Sequence, residues 1–169
     1  MNRFTIFICH PDDDIIGCFS LLEHQLVDKI VMFHCDMSPI RKREFIQAGA
    51  HYDVETLAYN KEPSLEYVDA IMKDTESVPT FPDPHHETHP EHKILGSIGA
   101  HLFSLAEQGV VGFYTVNMKA PYVRAHKRQT AIRKKAVLDQ LYPDQADLWA
   151  ADARYWLFEG QTLWYRDDS

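Results

Sequence analysis

Over the first 116 residues, short apolar runs alternate with segments of helical periodicity, and no other feature narrows the fold so much. Residues 3–9, 29–35, 53–59, 77–81 and 110–116 read as strands: brief, largely apolar and bounded by turn signals. Between them, "DIIGCFSLLEHQL" (14–26) places Ile15, Ile16, Phe19, Leu22 and Leu26 at helical spacing. "PIRKREFIQAGAHY" (39–52) opens with Pro39 after Ser38, a pair suited to an N-cap and a first turn. Residues 64–74 and 89–108 complete the helical segments of this part. Strand–helix alternation predicts an α/β fold, a Rossmann-like three-layer sandwich with a mostly parallel central sheet. From Arg124 onward the pattern predicts a helix through Tyr142, a turn at Pro143, a shorter helix, and a terminal hairpin or strand in 155–165.

A chain of 169 residues without repeat, linker or low-complexity segment suits one domain, 1–169, with a sizeable core. The net charge of −8 argues against a general binder of nucleic acid or acidic membrane. No apolar stretch is long enough to span a bilayer, and the first residues lack a signal-peptide pattern, so the expected location is cytoplasmic. Cys9, Cys18 and Cys35 are scattered, without CxxC spacing, which fits reduced thiols rather than a disulfide framework. Cys9 and Cys35 each end an apolar segment and read as core residues; the alternative is a reactive thiol near a site entrance.

Ligands of open parallel sheets bind beyond the carboxyl ends of the strands, and two unusual stretches follow such ends. "HPDDD" (10–14) spends three carboxylates in one turn directly after the first strand. Asp enrichment at a helix start would account for it, and so would a metal site. "FPDPHHETHPEHK" (81–93) carries His85, His86, His89 and His92 within eight residues. "HETH" and "HPEH" each miss a zincin pattern by one residue. Pro90 suits a first helical turn, with either Thr88 or His89 as cap, which sets His89 at the helix start and His92 about one turn in. His10, one Asp and one of these histidines make two imidazoles and a carboxylate, a ligand count that leaves positions open for catalysis.

These stretches resemble motifs of the LmbE/PIG-L deacetylases, zinc-dependent enzymes of the N-acetylglucosaminyl deacetylase type. "HPDDDIIGC" is similar to their N-terminal motif and "PDPHHETHPEHK" to their second metal motif. "RKREFIQAGAHYDV" (41–54) resembles their Arg-x-x-Glu helix, and "LYPDQ" (141–145) a late Tyr-containing segment. The resemblance implies zinc held by His10, Asp13 and His92, Asp12 as general base, His89 on the reacting carbonyl oxygen, and Arg41 at the substrate mouth. It implies a small-molecule N-acetyl amino sugar or sugar conjugate as substrate, with a nucleotide- or nucleic-acid-linked sugar left open. Asp14 stands where the family has a glutamate, one methylene longer, and Glu87 and Thr88 stand where some members have a tyrosine. The chain is short for the family, implying trimmed loops and a more open cleft.

Two other classes fit parts of the pattern. His10, Asp12 and His92 could form the facial triad of a non-haem iron oxygenase, although such triads usually sit on all-β barrels. A sugar-binding module without turnover would keep the fold and lose the chemistry. His85 and His86 read as loop residues, or as rim contacts to sugar hydroxyls; His34, His51, His101 and His126 read as structural. The basic run 124–135 reads as a solvated helix face, or as a contact to an acidic substrate group. Trp149, Trp156 and Trp164 read as core of the last third rather than as sugar-stacking surfaces.

Overall fold

The computed structural model describes residues 2–34, 37–106 and 109–166, with residues 165 and 166 as backbone only. Cys35 and the end of the predicted 89–108 helix lie outside the described residues. The strands are β1 (Phe4–Ile8), β2 (Val27–Phe33), β3 (Glu55–Tyr59), β4 (Val78–Pro82), β5 (Gly109–Thr115), β6 (Arg124–Ala125) and β7 (Phe158–Arg166). The helices are α1 (Asp13–Glu23), α2 (Pro39–Tyr52), α3 (Leu65–Lys73), α4 (Pro90–Leu105), α5 (Arg128–Leu141), α6 (Ala146–Ala151) and α7 (Arg154–Leu157). A 3₁₀ turn over Pro143–Gln145 joins α5 to α6.

The sheet order is β3-β2-β1-β4-β5-β7-β6. The first five strands are mutually parallel, β7 runs antiparallel to β5, and the short edge strand β6 runs antiparallel to β7. This is the expected α/β sandwich. Alternation along β1 divides its side chains between two cores: Ile6 and Ile8 pack with α1, α2 and α5, whereas Phe7 and Cys9 pack with α3 and α4. Chain order reverses between β1 and β4, because the chain leaves β1 towards β2 and returns on its other side as β4. A crevice opens at the carboxyl ends of strands at such a reversal. "HPDDD" follows β1 and the histidine-rich loop follows β4, so the topology brings the two motifs face to face.

Two packing details hold the motif-bearing helices in place. A Cβ on Gly96 would collide with the carbonyl oxygen of Pro82, so glycine there lets the first half of α4 lie directly on the end of β4. Helix α1 is broken at Cys18, whose φ/ψ of −130°/20° is not helical. The Ser20 N–H, whose regular partner would be the Ile16 carbonyl, instead donates to Glu159 Oε1 at 2.9 Å. Lys134 Nζ takes the freed Ile16 carbonyl at 2.7 Å and the Phe158 carbonyl at 2.8 Å. Gln161 Nε2 takes the Gly17 carbonyl at 3.0 Å.

Two expectations change. Residues 124–127 do not begin a helix: Arg124 and Ala125 pair with Glu159 and Phe158 of β7, and His126 N–H donates to the Leu157 carbonyl. The basic run is not uniformly a solvated face either, since Lys134 is fully buried against the α1 break. Trp149 is core, and Trp164 packs on Phe113 with ring centroids 4.6 Å apart. Cys9 and Cys18 are buried free thiols, and burial pushes the Cys9 thiol up, so it is not the reactive alternative. Among the described residues no helix is long and apolar enough to cross a membrane.

Candidate metal centre

Three donor atoms converge in the crevice. His10 Nδ1 lies 3.0 Å from His92 Nε2 and 3.4 Å from Asp13 Oδ2, and the third side of the triangle, His92 Nε2 to Asp13 Oδ2, is 3.0 Å. Tetrahedral zinc, with bonds of about 2.0–2.2 Å to imidazole and carboxylate, spaces its donors about 3.3 Å apart. The triangle therefore has the right size and donor types for such an ion, and it unites the residues that the motif resemblance implies.

Local folding explains each position. Asp13 begins α1, and its Oδ2 accepts the backbone N–H of His10 at 2.8 Å and of Cys9 at 3.3 Å, which ties the carboxylate to the end of β1. His89 is the N-cap of α4 with an extended backbone, Pro90 follows at the first helical position, and His92 points inward one turn later. The cap is thus His89 rather than Thr88, and it makes no side-chain cap bond. His89 lies outside the triangle but beside it, its ring 4.7 Å from that of His10 and 5.2 Å from that of His92. With His10 and His92 it forms a second set of converging donors, so it would stand next to an ion held in the triangle.

The consecutive carboxylates take three directions. Asp12 is the N-cap of α1 by backbone geometry but makes no side-chain cap bond; its Oδ1 instead accepts from Arg41 Nη2 at 2.8 Å. Asp13 faces the histidines. Asp14 turns into the core, where Tyr142 Oη donates to its two oxygens at 2.9 and 3.0 Å and Ile15 N–H donates at 2.7 Å. All three are at most 4 % exposed. The capping explanation of the run fails for Asp12, and Asp14 serves the core rather than the site.

The sequence reading missed the partner behind His92. Glu87 Oε2 lies 3.0 Å from His92 Nδ1, while its Oε1 accepts from Thr115 Oγ1 at 2.5 Å and from Val116 N–H at 2.7 Å. A carboxylate on the far nitrogen fixes a ligating histidine's tautomer and raises its basicity. The signal available in sequence was only an acidic residue inside a histidine-rich loop, because the β5 residues that hold it are remote.

Electrostatics follow this arrangement. Burial works against charge on Asp13, but the neighbouring His92 charge and hydrogen bonds from His10 and His92 hold its carboxyl well below the usual range. Burial lowers His92, and Asp13 and Glu87 outweigh it and raise the imidazole to about 10. Burial and the charge of Asp13 push Asp12 up, with Arg41 opposing. Burial also pushes Asp14 well up, against the bond from Tyr142. With both imidazoles neutral, as metal ligation requires, Asp13 and Glu87 would leave two buried negative charges, which a cation among them would balance.

A cavity of about 330 Å³ opens onto the cluster. Asp12, His89 and Arg41 line it, as do Asn117, Gln145 and Tyr155. Ligand sites of roughly 300–1,000 Å³ are usual, so this one suits a molecule the size of a single sugar ring. Arg41 reaches it from the first turn of α2, where Ser38 Oγ accepts the Arg41 N–H as N-cap. Glu44, on the same helix face, accepts the Asp144 N–H at 3.1 Å, which joins the Arg-x-x-Glu helix to the late Tyr-containing segment. His86 is held away from the cluster by Asp83, whose Oδ2 lies 2.8 Å from its Nδ1, and the His85 ring lies against Trp164. His34 sits at the cluster, its ring 5.3 Å from that of His10.

Comparison of the chain with protein-family models, curated proteins and solved structures finds no match.

Proposed function

We propose that this chain is a metal-dependent hydrolase of the LmbE/PIG-L type, which removes the acetyl group from an N-acetyl amino sugar or a conjugate of one. The observation that carries the reading is the triangle of His10 Nδ1, Asp13 Oδ2 and His92 Nε2, with Asp12 beside it in the same cavity. Zinc held by these three residues would supply a Lewis acid and lower the pKa of a water from about 15.7 towards about 7.

Asp12 is the general base. Its raised pKa matches proton exchange near neutral pH better than an ordinary carboxyl does, and Arg41 fixes the orientation of its Oδ1. Asp12 takes a proton from the attacking water and returns it to the amine nitrogen as the C–N bond breaks, leaving acetate and a free amine. His89, whose pKa is lowered by burial and then by His10 and His92, is a neutral imidazole that donates to the carbonyl oxygen as charge develops there. Arg41, Asn117 and Gln145 supply polar contacts suited to sugar hydroxyls. The sugar class itself comes from the motif resemblance. Buried free thiols fit a reducing compartment, and cytoplasmic location is part of the same reading.

The α/β fold favours this chemistry over the iron oxygenase, whose triads usually sit on all-β barrels, and the carboxylate that faces the two imidazoles is Asp13 rather than Asp12. Zinc-loaded protein assayed on a panel of N-acetyl sugars for free-amine release tests the reading. Release that is abolished in Asp12→Asn supports it. Tight sugar binding without amine release would make the chain a binding module instead.

A further inference from the structure

His10 has a second nitrogen, and it faces a different set of donors. Its Nε2 lies 2.9 Å from Glu91 Oε2, which in turn is 3.9 Å from His34 Nδ1. His34 directly follows β2, His10 stands just past β1, and Glu91 belongs to the first turn of α4. The three donor atoms lie within 4.8 Å of one another, on the opposite side of the His10 ring from the triangle with Asp13 and His92.

Two of these atoms are anomalous as ordinary side-chain groups. His34 Nδ1 and Glu91 Oε2 are both buried, and neither has a hydrogen-bond partner among the described residues. Unpaired buried polar atoms are uncommon and call for an explanation. A simple orienting bond from His10 to Glu91 does not supply one, because the pair stands at 2.9 Å without making a hydrogen bond. Such a bond would also leave His34 unexplained.

We propose that His34, Glu91 and the outer nitrogen of His10 form a second divalent-cation site beside the first. Two imidazoles and one carboxylate are a donor set for zinc and similar first-row ions, with remaining positions left to water. The separations of 2.9 and 3.9 Å bracket the roughly 3.3 Å that tetrahedral donors require. The Glu91 side chain is 44 % exposed overall and is free to make the adjustment. Ligation at Nε2 replaces the proton there, which leaves to solvent, and places a second cation across one ring from the first. The outer ion therefore binds more weakly than the inner one.

The inference shares only His10 with the zinc reading of the inner triangle, and one experiment separates the two. Purified protein is equilibrated against a series of buffered free Zn²⁺ concentrations, and metal is counted per chain. Wild type should take up one ion at low free zinc and a second at a concentration at least tenfold higher. His34→Ala and Glu91→Gln should each keep the first and shift or lose the second, and an exposed control, His101→Ala, should change neither. Uptake that stops at one ion, lost in Asp13→Ala, would overturn the second site and leave the first standing. A second ion that survives both His34→Ala and Glu91→Gln would overturn it too, as would loss of the tight ion in both variants. One ion lost with His34 and Glu91 but kept in Asp13→Ala would instead overturn the inner assignment.

Discussion

Glu87 and His92, five residues apart around the start of α4, meet through Oε2 and Nδ1 at 3.0 Å with both side chains buried. The bond leaves His92 Nε2 directed at Asp13, and the end of β5 holds the carboxylate through Thr115 and the following Val116. Glu87→Gln preserves shape but removes the charge that helps raise His92. Zinc affinity should fall by about 10–100-fold, the usual loss for such a partner. Competition with a chromophoric chelator measures it; unchanged affinity would make Glu87 a packing residue of the β4–α4 loop.

Asp12→Asn should keep fold and metal content while lowering kcat by about 10²–10⁴. The acid limb of kcat/KM, along which rate rises with pH, should follow loss of the Asp12 proton, which burial pushes to higher pH. Arg41 opposes that push, so Arg41→Ala should move the limb to higher pH. A limb that moves down, or stays still, would separate Arg41 from the base.

His89 stands next to the triangle without completing it. Loss of one donor to a developing oxyanion costs about 10²–10³ in kcat. His89→Ala should show that loss with zinc content unchanged, measured by turnover and elemental analysis on the same preparation. Loss of zinc instead would make His89 a ligand, a place its donor geometry also permits.

Lys134 stabilises the break in α1 from inside the core. Burial lowers its pKa to about 8, with Glu159 opposing. A base whose folded pKa lies below its unfolded value of about 10.4 costs stability while charged. That cost is relieved as pH rises from about 8 towards 10. Lys134→Met should lose about 2–5 kcal/mol at pH 7, because it strands the Ile16 and Phe158 carbonyls, each unmet buried bond costing about 1–3 kcal/mol. The gap to wild type should widen between pH 8 and 10, and urea unfolding at several pH values reads both effects.

Periodicity and turn chemistry were enough to locate the parallel strands and the helices between them, because those signals are local. Ser38–Pro39 marked the start of α2, and the Ser38 cap is present as expected. The order of strands and motifs also put "HPDDD" and the histidine-rich loop at one crevice, where chain order reverses in the sheet, and the choice of Asp13 and His92 within them came from the motif resemblance.

What tertiary structure alone decided was the direction of each side chain and the identity of its distant partner. Asp12, Asp13 and Asp14 are alike in sequence, and they part company because Arg41, His92 and Tyr142 approach from α2, α4 and the end of α5. Arg124 and Ala125 continue a basic helical pattern, yet β7 claims their backbone as strand. Lys134 belongs by pattern to a charged face and is buried because a helix 118 residues earlier breaks and leaves a carbonyl free. In each case the deciding bond joins residues far apart along the chain, and local sequence carries no record of the atom at its other end.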